Sequence, residues 1–350
     1  MEISLTDFKS RCREAVLDLL WRQWCSLGVS GHASPAQPGR LIDLEALVLA
    51  TTSLGRLEPR LFDEAFDWLG SHGWLIHFQR LANLQRSHQL GDEPVLQAMA
   101  EWLAKKTAQP RWKAVARRKT EKRAKPPLEP LFPGIEGPVP TTLDDIFRSQ
   151  GLTRGVFQPR GMSRVPQPLL APNLMASLRA LIGVSARVEV ILFLAGSQTA
   201  AKAADIARAT GYAPRTLQAV LQEMLLSGHL LSQEPATRPR ASSERRRHGS
   251  YHVQPSDWAF LTSGKPLPKW TPWAALFAIV RSVMAAIPDP GEKPHHAAVV
   301  SSRLRDTLAE HSPALAAAGL LPDLDLRPEA PGAELLQCLA ERLPALLHSL

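Results

Sequence analysis

Four side chains on one short stretch, Arg215, Thr216, Gln218 and Gln222, have the chemistry to read nucleobase edges. On a helical wheel at about 100° per residue they gather with Ala219 on one side, while Leu217, Val220, Leu221 and Met224 fill an arc of roughly 100° opposite them. An arginine can fork onto guanine and a glutamine onto adenine in a major groove. An ordinary solvated helix face would more often mix Glu with Lys, and no acid stands at the centre of this one.

Two cation-rich segments could supply phosphate contacts. Arg238, Arg240, Arg245, Arg246 and Arg247 face only Glu234 and Glu244, and the run from Lys105 to Lys125, with Lys113, Arg117 and Arg118 at its middle, is opposed by Glu121. Lys202 adds a further cation ahead of the base-reading stretch. Six to ten phosphate contacts would make affinity fall by about three to five decades over a modest rise in salt.

Catalytic arrangements fare poorly. His295-His296 lies in a Pro-flanked loop without a carboxylate or Cys at ligand spacing. Asp144-Asp145 suits the first turn of a helix, where carboxylates favour the dipole. Asp323, Asp325 and Glu329 lack the glycine and ligand ladder of a calcium loop. Ser263-Gly264-Lys265 has no leading glycine and runs into Pro266, so it is no phosphate loop. No nucleophile elbow, dinucleotide fingerprint or zinc helix is present, and the chain reads as a binding protein without cofactor or metal rather than an enzyme.

The elements that must position the base-reading residues are punctuated clearly. A small-residue helix, Ala203 to Thr210, stops at Gly211, and Pro214 opens a second helix running to about Ser227. Arg187 to Leu194 supplies an earlier helix, Gly228 to Gln233 reads as a strand and Gly249 to Gln254 as its return, with the basic, Pro- and Ser-containing tip between them. This order resembles the winged helix-turn-helix superfamily, in particular bacterial MarR- or ArsR-like regulators, over residues 185–254 alone. The resemblance implies a sequence-specific, double-stranded DNA-binding transcriptional regulator, a repressor acting as a dimer on a two-fold operator. Winged helices also dock proteins. The alternative is therefore an interaction module, such as the antitoxin or regulatory partner of an enzyme in a toxin-antitoxin or defence operon.

The wider composition is consistent with either function. The chain has 350 residues, 45% of them apolar, a net charge of +8 and a pI near 9.7, which favours an anionic partner. Cys12, Cys25 and Cys338 are too scattered for a disulfide framework, and neither a signal peptide nor a membrane-spanning run is evident, so a cytoplasmic protein is expected.

The expected fold is mainly α with a small β-wing, in several domains. Residues 1–107 read as an N-terminal helical domain with helices over Leu5–Leu27, Leu41–Ala50, Arg60–Ser71 and Glu93–Thr107. Its Leu69-Gly70-Ser71-His72-Gly73-Trp74-Leu75-Ile76 echoes Leu225 to Leu231, where a helix stops at Gly and an apolar strand follows. The domain is thus either a degenerate winged helix or a plain helical one, with Arg56, Arg60 and Arg80 at solvated positions. Residues 108–172 read as a basic, then Pro-rich linker, extended or loosely packed between Pro140 and Pro172, and 173–258 as the winged helix-turn-helix. Residues 259–350 form a helical annex, with helices over Trp273–Ile287, Ala297–Ala309 and Ala333–Leu347, that either mediates dimerisation or packs on the N-terminal helices.

Overall fold

The structure, a computed structural model, describes residues 4–31, 34, 36–117, 127–135, 140–197, 199–233, 249–264, 266–287, 297–324 and 332–350. The described chain is mainly helical. In order its helices are α1 (Leu5–Ser26), α2 (Leu44–Ser53), α3 (Pro59–His72), α4 (Phe78–His88), α5 (Glu93–Lys106), α6 (Lys113–Ala116), α7 (Asp145–Ser149), α8 (Leu174–Ile182), α9 (Ala186–Ser197), α10 (Ala203–Thr210), α11 (Pro214–Leu226), α12 (Trp273–Ala286), α13 (Ala297–Ala317), α14 (Leu321–Leu324) and α15 (Gly332–Ser349). The strands are β1 (Glu129–Pro130), β2 (Leu152–Thr153), β3 (Ala201–Lys202), β4 (Leu231–Gln233) and β5 (Ser250–His252). β1 and β2 form a parallel pair, and β3, β5 and β4, in that order, form an antiparallel sheet.

The chain divides into two compact units, and neither is continuous in sequence. The first comprises Met1–Ala36, Asp43–Gln167 and Pro272–Leu350, and the second Gln37–Ile42 and Pro168–Thr271. This differs from four consecutive segments. Gln37–Ile42 joins the second unit through main-chain hydrogen bonds, Lys269 N donating to Gly39 O at 2.8 Å, Leu41 N to Lys269 O at 3.2 Å and Ile42 N to Pro172 O at 3.0 Å.

In the first unit, Ser4 caps α1 by accepting from Asp7 N, and α1 buries Phe8, Cys12, Ala15, Val16, Leu19 and Leu20. Trp24 packs edge-on against Trp68 of α3, centroids 5.3 Å apart. The chain leaves α1 at Gly28, whose φ of +97° is left-handed and whose absent Cβ would lie 2.3 Å from Arg164 O, so only glycine fits there. The second helix begins at Leu44 rather than Leu41 because the Asp43 carboxylate accepts from Ala46 N.

The apolar strand expected after α3 is absent. Gly73–Leu75 is a 3-10 turn, and α4, which the periodicity did not reveal, follows it with His77 Nδ1 accepting from Arg80 N at 3.1 Å. The N-terminal helices therefore form a plain helical assembly: no strand occurs among the described residues before Glu129.

The segment taken for a linker belongs to the first unit as far as Gln167, and residues 168–172 to the second. Leu131, Phe147, Leu152 and Phe157 are buried, with Phe157 stacked on Phe66 of α3 at 4.4 Å. Asp144 caps α7 by accepting from Ile146 N and Phe147 N. Three acids along α3, Glu64 and Asp67 buried and Asp63 half-buried, hold this segment. Asp63 pairs with both terminal nitrogens of Arg154, Glu64 with Arg160, and Asp67 accepts from Gly161 N at 2.8 Å. Arg154 also lies over the rings of Phe132, Phe147 and Phe157 at 5.1–5.6 Å, so its stem and guanidinium fill space that apolar groups alone would leave.

The C-terminal helices pack on the N-terminal ones. Leu335, Leu336, Leu339, Leu343, Leu346 and Leu347 of α15 are buried, α15 packs on α1 and α13, and Arg22 Nη2 donates to Leu347 O at 3.0 Å. Their apolar stripe packs within the chain, which is the second of the two roles expected for the annex. α13 runs eight residues further than expected, with Pro313 inside it.

Of the three arginines expected in solvent, Arg60 is exposed as expected, whereas Arg56 is half-buried and Arg80 buried. Arg56 bonds Asp92 and the carbonyls of Leu131 and Pro130, and Arg60 lies over the Trp21 ring. Arg80 is fully buried, gripping Asp43 through both terminal nitrogens and Glu45 through one. Glu45 in turn accepts from His77 N at 2.7 Å. An arginine this deep is tolerable only because two carboxylates replace its water.

Beside this cluster, the rings of His88 (α4) and His311 (α13) lie 5.3 Å apart. Burial, then the neighbouring His311 and Arg80, push His88 down to about 4 against an opposing pull from Asp43; burial also lowers His311 against Glu310. The unfolded chain, with His88 near its ordinary 6.5, binds a proton that the native state refuses. Stability is thus full above pH 6.5 and declines as pH falls toward about 4. A urea titration at about pH 5 should show roughly 2 kcal/mol less stability than one at about pH 7, and His88→Phe should flatten the difference. An unchanged slope in that variant would place the sensitivity elsewhere.

Candidate nucleic-acid interface

α10 and α11 are set by local sequence. α10 ends at Gly211, whose φ of +75° gives a left-handed cap with Gly211 N donating to Ala207 O. Pro214 then occupies the first turn of α11, where its missing N–H costs no hydrogen bond. Leu217, Leu221 and Met224 of α11 join Ile191 and Leu194 of α9, Ile206 of α10 and Tyr251 and Val253 of and beyond β5 in one buried cluster, and Val220 is half-buried against it.

The opposite side of α11 is open. Arg215, Thr216, Gln218, Ala219 and Gln222 are all exposed, and the four polar side chains make no hydrogen bond or ion pair among the described residues. Two neighbours went unread in the sequence. Glu223 flanks the stripe at about 80° from Arg215, but its carboxylate is paired with Arg187 of α9. Leu226, at about 20° on the same wheel, is 90% exposed and continues the stripe toward the end of the helix. Simple extension of the wheel by one turn would have found it.

Lys202 is exposed on β3, opposite Ser250 of the central strand. β4 and β5 pair as an antiparallel hairpin with Ser232 opposite Tyr251. Both strands are shorter than expected, β4 starting only after Gly228 and Leu230 have turned the chain. Arg238, Arg240, Arg245, Arg246 and Arg247, which fall between them, lie outside the described residues, as do Arg118, Lys265, His295, His296, Asp325 and Glu329. Lys113 and Arg117 are exposed on and just after α6 and belong to the first unit, so they are not part of the sheet-and-helix assembly that presents α11.

The position of α11 depends on a buried polar cluster. Glu189 of α9 is wholly inaccessible; its Oε1 accepts from Arg179 Nε and Nη2 of α8 at 3.0 and 2.7 Å, and its Oε2 from Tyr212 Oη at 2.8 Å. Tyr212 sits in the turn that leads into α11, so this cluster ties α8, α9 and the entry to the exposed helix together. No sequence pattern marked it: α8, which carries Arg179, was not expected as a helix, and Glu189 was read only as part of the helix Arg187 to Leu194.

Among the described residues no group of His, Cys, Asp and Glu is arranged to hold a metal ion, and no helix is long and apolar enough to cross a membrane. Comparison with protein-family models, curated proteins and solved structures finds no match to this chain.

Proposed function

We propose that residues 185–254 form a winged helix-turn-helix and that the chain is a sequence-specific double-stranded DNA-binding regulator, a repressor acting in the cytoplasm. The observation that carries this reading is the exposed stripe of Arg215, Thr216, Gln218 and Gln222 on a helix whose opposite side is locked into a core. The succession of α9, α10, a glycine turn, α11 and the β4–β5 pair supports it, being the order on which the resemblance rests, with β3 an addition to it. α11 would lie in the major groove, Arg215 forking onto guanine and the two glutamines onto adenine. Lys202 and the arginines between β4 and β5 would hold the backbone.

The decisive experiment is selection of bound fragments from random duplex DNA. A shared motif, palindromic if a dimer binds, is expected; Arg215→Ala should cost about 1–3 kcal/mol and relax preference at one position. Neutralising Arg245, Arg246 and Arg247 should instead weaken all duplexes and reduce the salt slope. Recovery of no motif, with both variants binding as the parent does, would sink the reading.

Leu226 favours a second reading. A leucine 90% exposed in line with the polar stripe suits a protein surface better than a phosphate backbone. On that reading the helix docks a partner enzyme, as an antitoxin does. Stoichiometric capture of that enzyme, lost in Leu226→Asp and accompanied by no duplex retention, would select it.

A further inference from the structure

The first unit carries an exposed indole and a cationic segment that the α11 reading leaves unused. Trp74 is 45% exposed on the 3-10 turn Gly73–Leu75 and has no ring partner among the described residues. Its mounting is rigid. The Gly73 backbone is pressed against the buried Trp112, a Cβ there falling 2.8 Å from Trp112 Nε1. Trp112 Nε1 donates to Gln109 Oε1, and Gln109 Nε2 donates to the carbonyls of Leu69 and Gly70 at the end of α3. On the far side of the turn Ile76 N closes onto Gly73 O, and His77 N is held by the buried Glu45.

The same anchors set a cationic segment against the Gly73 turn. Trp112 begins the short helical stretch that presents Lys113 and Arg117, and Arg111 lies over the half-buried Phe78 ring at 5.4 Å. From Lys105 to Arg117 there are five cations and no acid, and all five are exposed. Lys105 alone has a carboxylate partner among the described residues, Glu101.

We propose that this surface binds single-stranded nucleic acid, with Trp74 stacking on an unpaired base and Lys113 and Arg117 on the flanking phosphates. Duplex bases hide their faces in the stack and offer the indole nothing, whereas an unpaired base presents a π-face to any fixed aromatic ring. The turn that carries the indole is held from both sides, so its backbone loses little freedom on binding. An anionic membrane also attracts tryptophan and lysine, but interfacial insertion requires a broad apolar face, and the exposed residues nearest Trp74 along the chain are the polar Ser71 and Gln79.

The test uses the full chain with Arg215, Gln218 and Gln222 replaced by Ala, so that its outcome is independent of whether α11 reads duplex DNA. Anisotropy of a labelled oligothymidylate of about 20 nucleotides reports binding. Trp74→Ala should weaken it about tenfold with the salt slope unchanged, and Trp74→Phe should retain most of the affinity. Lys113→Ala with Arg117→Ala should make the slope shallower by about 1.4. The proposal is overturned if the parent does not bind the oligonucleotide, if Trp74→Ala binds like the parent, or if phosphatidylserine vesicles bind in a Trp74-dependent way and the oligonucleotide does not.

Discussion

Replacing Arg179 by Met should destabilise the second unit by about 3–5 kcal/mol, because it strands a buried carboxylate. Arg179 and Glu189 are both inaccessible to solvent, and Glu189 would keep Tyr212 as its hydroxyl donor while losing the bidentate guanidinium. Without a cation, burial disfavours the charged carboxylate, so the variant should recover part of its stability as pH falls and the group takes up a proton. Tyr212→Phe removes only one charge-assisted hydrogen bond and should cost about 1.5–3 kcal/mol. Arg179→Met combined with Glu189→Leu removes both charges and should be more stable than Arg179→Met alone, short of the parent by about 1–3 kcal/mol for loss of the Tyr212 hydroxyl's acceptor. Amide exchange in α9 and α11 during a urea titration separates this unit from the rest of the chain. If the double variant is no better than Arg179→Met, packing rather than the stranded charge accounts for the loss. Because Tyr212 stands at the entry to α11, the same variants should lower duplex affinity before global unfolding, should that helix bind DNA.

The second unit was the more legible part of the chain, for identifiable reasons. α10 and α11 carry both kinds of signal at once, an apolar stripe at helical spacing and Gly211 and Pro214 as punctuation, so α11 was expected over 214–227 and is found over Pro214–Leu226. The buried set Leu217, Leu221 and Met224 followed from the same wheel. What could not be read was held by contacts without periodicity. The segment 140–167 has isolated apolar residues between prolines and glycines, which suggests looseness, yet Phe147 and Phe157 are buried and its arginines and Gly161 meet three acids along α3. Gln37–Ile42 joins the second unit through main-chain bonds that leave no side-chain signature. α4 was obscured because Gly73 imitates the helix-to-strand turn at Gly228, and because Arg80 on its inward side reads as polar and therefore exposed. Burial of that arginine became intelligible only once Asp43 and Glu45, more than thirty residues earlier, were placed beside it.

Arg80→Met should be the corresponding lesion in the first unit, with a signature that distinguishes it from simple loss of packing. Arg80 is 0% exposed, Glu45 likewise, and Asp43 nearly so. Its removal leaves two buried carboxylates facing each other without a cation, for a loss of about 3–5 kcal/mol near neutral pH. The pH dependence should then reverse. In the parent, acidification from 6.5 toward about 4 destabilises, because His88 is neutral when folded and charged when unfolded. In the variant the stranded carboxylates bind protons more tightly folded than unfolded, so acidification over the same range should stabilise. His88 itself should move: Arg80 depresses its basicity and Asp43 raises it, so without the guanidinium its titration should shift upward from about 4. Imidazole proton resonances followed against pH report that shift, and urea midpoints report the change of slope. A variant equally weakened at every pH, with His88 titrating as before, would mean that Arg80 acts through its volume and that the carboxylates find other partners. Arg80→Lys tests the same point from the other side, since one ammonium cannot satisfy both carboxylates in the planar, forked geometry that the guanidinium provides.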